Sequence, residues 1–338
     1  MDDLRVVLLT NMIAPYRIPL FNAIARLCPK FHVIFLKQRE HYREWDVPEH
    51  KIEFSYEVLE NQFPNNLQKA LRFNPKILNS LIHLKPKVLI IGGWGYIENW
   101  MSLFYCKIFG ISVVVWGGMN LTSYTRTDFI TNRLRALFVR QADAVVSYNS
   151  VASNEFIRLG VKEECIATGY NVGDVEYYQA KVKEFRERNE SKRDINNSKK
   201  PIFLYIGQLV ERKGLLLLLE AFKQLEDPLS WELFIVGSGP QENELHRFCD
   251  EHGLVNVHFT GFKQRGELIH YFNMADIFIL PSLREPGAIV LSEALACGLY
   301  VLASINDGIA PDLIRPEENG EFIDPMNIQG LSGHLMKV

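Results

Sequence analysis

The stretch PSLREPGAIVLSEALACG, residues 281–298, follows the short apolar run Ile277–Leu280 and ends on Gly298. It reads as a strand, a loop, a helix from about Ala288 to Cys297, and a glycine suited to the position after a helix. The helix start offers unpaired backbone N–H groups, a natural seat for an anion such as a phosphate. Gly287 lets a ligand approach the backbone closely. Glu285 lies just before the helix and Glu293 about two turns into it. A carboxylate has two acceptor oxygens and suits vicinal hydroxyls, those of a sugar ring or a ribose. Read from the residues alone, a plainer role stays equally open. Glu285 would then serve the helix dipole and Glu293 would lie on a solvated face.

Working outward, the same alternation runs through the C-terminal half. Ile202–Ile206, Glu232–Val236, Val257–Thr260, Ile277–Leu280 and Tyr300–Ala303 read as strands. Leu215–Leu225, Glu242–Glu251 and Glu267–Asn273 read as helices between them. Short, almost wholly apolar strands separated by helices indicate a parallel sheet covered on both faces. The N-terminal half repeats the pattern, with strands at Leu4–Thr10, His32–Leu36, Val88–Ile91, Ile111–Trp116 and Ala144–Tyr148. Its helices are expected at Pro19–Leu27, Leu67–Leu84 and Ser150–Leu159. Glycine pairs follow two of these strands, at Gly92-Gly93 and Gly117-Gly118, where open α/β sheets bind ligands. Residues 181–200 are highly charged and break the pattern. The expectation is α/β: two doubly wound, Rossmann-like domains facing across a cleft. Residues 1–178 form an N-terminal acceptor-side domain, 179–200 a charged connector and 201–338 a C-terminal nucleotide-sugar-binding domain.

The 338 residues suffice for two cores, and 47% hydrophobic with 23% charged residues is ordinary for a globular chain. The five cysteines are scattered and show no metal spacing, as expected of reduced thiols. The N-terminus MDDLRVVLL has no signal-peptide pattern, and no run is long enough to span a membrane. A cytoplasmic protein is expected. Residues 1–200 carry 28 Lys+Arg against 21 Asp+Glu, whereas residues 201–338 carry 9 against 19. A basic half points to an anionic partner, nucleic acid or an anionic membrane, or simply to a solvated face.

Glu285 and Glu293, with seven residues between them, resemble the E-x7-E motif of retaining glycosyltransferases of family 4, which have the GT-B fold. The resemblance extends over Ile206–Gly214, Val236–Pro240, Phe259–Phe262, Ala275–Ser282 and the Ala-Cys-Gly end of the motif helix. In the first half it takes in Ala142–Ser147 and Tyr170–Asp174. It implies a transferase moving a sugar, with retention, from a nucleotide diphosphate sugar to a lipid-linked glycan in bacterial surface-polysaccharide synthesis. Glu293 would hold the ribose. Glu285, with the amides of Gly287 and Ala288, would hold sugar hydroxyls, and the amides of Ile289 and Val290 the distal phosphate. Lys213 would neutralise the departing diphosphate, Gly207 would lie beside the donor, and Phe262 and Lys263 would line the base-binding loop. No cofactor or metal is implied, there is no D-x-D, and the anionic partner becomes the inner face of the cell membrane rather than nucleic acid.

Departures from the pattern also carry expectations. Gln208 stands where the family has arginine, and Arg212 is the candidate replacement. Asn11–Arg17, similar to an N-x-x-x-P-Y-R stretch of surface-polysaccharide enzymes, replaces the usual glycine-rich loop. Tyr16, Arg17, Gly93 and Trp94 are the candidate acceptor-side residues. No histidine role can be assigned after Trp116. The chain stops soon after Asp324-Pro325, so no closing helix is expected. The rival readings are a sugar-nucleotide epimerase or hydrolase on the same fold, and a non-catalytic copy that only binds sugar nucleotide.

Overall fold

The computed structural model describes residues 4–38, 44–59, 74–118, 129–188, 200–227 and 230–337. It divides into two units, with the boundary between Tyr170 and Asn171.

The first unit is built on strands β1 (Val6–Met12), β2 (Phe31–Lys37), β3 (Ser55–Val58), β4 (Val88–Ile91), β5 (Ser112–Gly117), β6 (Ala144–Ser147) and β7 (Ile166–Thr168). They form one sheet in the order β3-β2-β1-β4-β5-β6-β7, parallel throughout. Chain order runs outward in opposite directions from the β1/β4 pair, which makes that pair the topological switch point. The connecting helices are α1 (Ile18–Leu27), α2 (Lys76–Leu84), α3 (Ile97–Phe109), α4 (Phe129–Val139) and α5 (Ser150–Arg158). Edge strands β3 and β7 were not anticipated, because SYEV and IAT are short and carry no continuous apolar run. Residues 67–73 of the expected helix over 67–84 lie outside the described residues. Phe21, Phe31, Phe54 and Trp116 meet edge to face over the centre of the sheet.

The second unit starts with α6 (Val175–Arg188) and holds a six-stranded sheet. Its strands are β8 (Ile202–Ile206), β9 (Glu232–Val236), β10 (Val257–Gly261), β11 (Ile277–Leu280), β12 (Tyr300–Ser304) and β13 (Gly320–Ile323). Their order, β10-β9-β8-β11-β12-β13, is again doubly wound and parallel. The helices are α7 (Leu215–Lys223), α8 (Glu242–His252), α9 (Leu268–Met274), α10 (Ile289–Ala296), α11 (Ala310–Leu313) and α12 (Ile328–Lys337). Both units are therefore Rossmann-like, as the alternation of strands and helices implied.

Two boundaries differ from expectation. The sequence division at residue 178 falls inside α6, which belongs to the second unit. Tyr178 and Val182, one turn apart, are buried in that unit's core, and a two-residue stripe is easily hidden in so charged a segment. Residues 189–199 of the expected connector lie outside the described residues. The second difference is α12, which the sequence reading did not foresee. It packs on α7, with the Ser332 hydroxyl donating to the Ala221 carbonyl at 3.1 Å.

Candidate functional site

The residues of the 281–298 segment gather at the carboxyl ends of β8, β11 and β12. After β8 the chain passes Gly207 into a 3-10 turn, Glu211–Lys213, that ends on Gly214 in the left-handed region, φ +70°. This turn is stitched to the loop after β11. The amides of Leu283 and Arg284 donate to the Arg212 carbonyl at 2.8 and 3.4 Å. That seam brings two cations onto one acid. Arg212 Nη1 lies 2.9 Å from Glu285 Oε2, and Lys213 Nζ donates to the same oxygen. Lys213 and Glu285 are both buried, whereas the Arg212 side chain is 42% exposed. Burial alone would raise the Glu285 pKa. The two cations overcome it and hold the carboxyl below its ordinary range.

The backbone of Glu285 is fixed by Asn306–Gly308: its amide donates to the Asn306 carbonyl and its carbonyl accepts from Gly308. Asp307, 1% exposed, completes this support. Its Oδ2 accepts from the Ala288 amide at 3.0 Å, and its Oδ1 from Ile309 and Ala310 at 2.8 and 3.0 Å. Burial, with the Glu285 charge nearby, pushes Asp307 up to about 6. One expectation is corrected here: the Ala288 amide is committed to Asp307 and is not open to a sugar hydroxyl. Gly287, at φ +149°, turns the chain into α10 in a conformation that favours glycine. Helix geometry leaves the amides of Ile289 and Val290 without intrahelical partners, as expected of a phosphate seat.

Glu293 does not lie on the solvated face that the plainer reading allowed. It is 8% exposed, because α10 is packed on nearly every side. Its carboxyl is hydrogen-bonded to the Tyr178 hydroxyl on α6. Arg265 stands nearby, paired with Asp174 at 2.9 Å and stacked over the Tyr177 ring at 3.7 Å. The Gly173 amide donates to the Ser292 hydroxyl at 2.8 Å. A methyl group on Gly173 would come within 2.6 Å of Glu293 Cγ. Burial, only partly offset by Tyr178 and Arg265, raises Glu293 to about 7. Phe262 and Lys263, half-buried, follow β10 at the same edge of the sheet.

The Glu293 shift has a measurable consequence. A buried carboxyl with a raised pKa favours the protonated fold, so its contribution is complete below about pH 4.5 and is lost as pH rises through about 7. Glu293→Gln keeps an acceptor for Tyr178 and cannot ionise. Across this window the variant is expected to gain on the parent by up to about 3 kcal/mol. Melting curves from about pH 5 to about pH 8 check this; parallel curves would refute it.

In the first unit, Arg17 donates to Thr10 Oγ1 at 3.2 Å and to the Tyr148 hydroxyl at 3.0 Å. Tyr16 packs edge-on against Trp45. Gly93 follows β4, and the Trp94 carbonyl accepts from the Trp100 indole at 3.1 Å. Thus Tyr16 and Arg17 share one end of the sheet with Gly93, while Trp94 packs with α3 and under Arg135. Asp307, Tyr178, Arg265 and Asp174 were missed from sequence. Only Asp307 had a local signal: an acid three residues before a short helix.

Residues 187–338 match the family profile described as glycosyl transferases group 1. The putative colanic acid biosynthesis glycosyltransferase WcaL of Escherichia coli K12 is 25% identical over 235 residues, 67% of this chain and 54% of that protein. The amylovoran biosynthesis glycosyltransferase AmsK of Erwinia amylovora is 34% identical over 143 residues, 40% of this chain and 35% of that protein. The chain spans between about a third and about half the length of these curated relatives. Among solved structures, Anabaena HepE in complex with UDP-glucose superposes with a TM-score of 0.75 at 19% identity, covering 98% of this chain and 89% of that one. The apo lipopolysaccharide outer core galactosyltransferase WaaB gives 0.72 at 17% identity, with 98% and 89% covered. These superpositions carry the fold.

Proposed function

We propose that the chain is a retaining glycosyltransferase of surface-polysaccharide assembly, using a nucleotide diphosphate sugar and a lipid-linked glycan acceptor. The observation that carries the reading is Lys213 and Arg212 converging on Glu285 beside the open amides of Ile289 and Val290. In this reading the bond from the anomeric carbon to the phosphate oxygen breaks, and the electron pair leaves with the nucleoside diphosphate. Lys213 and Arg212 offset that charge, with the helix start behind them. Glu285 accepts hydrogen bonds from the transferred sugar, and Glu293 from the ribose. The acceptor hydroxyl oxygen bonds to the anomeric carbon on the face the diphosphate leaves, its proton passes to the donor phosphate, and no metal is needed. The relatives support the reading: their names place them in colanic acid and amylovoran biosynthesis.

The test is a thermal-shift screen of nucleoside diphosphates and their sugars, followed by donor consumption with and without acceptor glycan. Glu293→Ala and Lys213→Ala should each weaken nucleotide binding. Consumption without acceptor would favour the epimerase or hydrolase reading, and binding without consumption the non-catalytic one.

The membrane part of the reading rests on α3 and α4. They pack together through Trp100 and Phe138, ring centroids 4.9 Å apart. Their outer faces expose Phe104, Ile108, Ile130, Leu134 and Leu137. Arg133 and Arg140 lie exposed among them with Lys107, which is paired with Asp143 at 3.1 Å, and the only acid within the two helices, Glu98, is buried. Apolar residues flanked by cations suit an anionic lipid surface. Among the described residues no helix is long and apolar enough to cross a membrane. Co-sedimentation at low salt is expected with vesicles containing phosphatidylglycerol and not with phosphatidylcholine alone. Phe104→Ser with Ile108→Ser should weaken it by about tenfold or more. Indifference of the parent protein to anionic vesicles would refute this part.

A further inference from the structure

We infer that Arg17 is the centre of a phosphate-binding site in the first unit. Arg17 is held in the 3-10 turn Pro15–Arg17, directly before α1. Its guanidinium reaches back to Thr10 on β1 and across to Tyr148, which follows β6. It lies over the Trp116 ring on β5 at 4.9 Å and near the Tyr16 ring at 5.5 Å. Every one of these partners is neutral, and the groups that act on its charge are burial and the two tyrosines. Its Nε is buried and makes no hydrogen bond.

A desolvated cation is costly unless an anion accompanies it. Two other cations with little exposure meet that requirement: Lys213 has Glu285, and Arg265 has Asp174. Arg17 has no acid beside it among the described residues, so its counter-charge is assigned to a ligand. The location agrees. Thr10 directly follows the run of β1, Val6–Leu9, that pairs with β4, so the guanidinium lies at the carboxyl ends of the strands beside the switch point. Gly92, the residue after β4, packs so closely on Thr10 that a Cβ there would meet Thr10 Oγ1 at 3.2 Å. Backbone, hydroxyls and aromatic faces thus surround a planar donor that matches phosphate geometry.

Two sources of phosphate fit the proposed reaction: the donor diphosphate, and the acceptor if its lipid is joined through a phosphate. Only the choice between them rests on the glycosyltransferase reading; the anion site does not. The experiment is calorimetric titration of the full chain with inorganic pyrophosphate, comparing Arg17→Gln, Arg17→Lys, Lys213→Ala and the double variant Arg17→Gln/Lys213→Ala. Arg17→Gln is expected to weaken a pyrophosphate-binding event by at least about tenfold, with partial recovery in Arg17→Lys. If Lys213→Ala removes a different event, the site serves the acceptor. If both variants remove the same event, Arg17 serves the donor. Melting temperature without anion separates a ligand site from a purely structural arginine. Arg17→Gln should leave it unchanged or raise it, because the variant removes an uncompensated charge. Unaltered pyrophosphate binding in Arg17→Gln, with or without a lowered melting temperature, would overturn the inference. Failure of sugar transfer with Arg17-dependent pyrophosphate binding intact would overturn the enzymatic reading instead.

Discussion

Lys213→Ala is expected to lower sugar transfer by about 10²–10³-fold at saturating donor, the usual cost of removing one preorganised group that stabilises developing charge. The argument rests on where the ammonium sits. It is buried, its neighbour is the Glu285 carboxylate, and the adjacent Arg212 side chain is 42% exposed. A buried cation acts in a low dielectric, whereas a half-exposed one is screened by water, so Arg212 cannot compensate. Truncation also leaves Glu285 buried with one partner fewer. Some loss of stability is therefore expected, and melting temperature must be read beside the rate. Release of nucleoside diphosphate, measured only in the presence of acceptor, reports the step directly. Retention of rate within about threefold of the parent would remove Lys213 from the chemistry and favour a purely structural ion pair.

How much of this could be read from the chain depends on the distance over which each feature is specified. The strands of both sheets are continuous apolar runs because parallel strands are covered on both faces, and the turns after them are marked by glycine. Those features are local, and the doubly wound pattern follows from them. Glu285 and Glu293 stand out through a spaced motif and Lys213 through family resemblance, yet their surroundings do not. Glu293 looked as though it could be solvated because a glutamate in a short helix usually is. Its burial comes from Gly173 and Tyr178, more than a hundred residues earlier. Arg17 and Tyr148 are 131 residues apart, and no local pattern joins them. The end of the first unit was misplaced for a related reason. A helix as charged as α6 resembles a linker until its two buried positions are placed against α9 and α10.

The ion-pair site also depends on a backbone contact that leaves no room for a side chain. Gly214 lies at φ +70°, and a Cβ there would stand 2.2 Å from the Pro281 carbonyl oxygen. The obstacle is main chain at the end of β11, so no rotamer change can relieve it. Gly214→Ala must therefore move either the turn Glu211–Lys213 or the loop that carries Glu285. The left-handed conformation adds about 1 kcal/mol to the steric cost. A loss on the order of 3 kcal/mol or more is expected, in the range reserved for strain and overpacking at special positions. Urea unfolding should show a lower midpoint with an unchanged slope. The seam from Leu283 and Arg284 to the Arg212 carbonyl is the geometry that sets Lys213 and Arg212 on Glu285, so the variant should also lose transfer activity at temperatures where it remains folded. Stability within about 1 kcal/mol of the parent would mean that the two loops can separate cheaply. The convergence of both cations on one carboxylate would then not be a preorganised feature of this site.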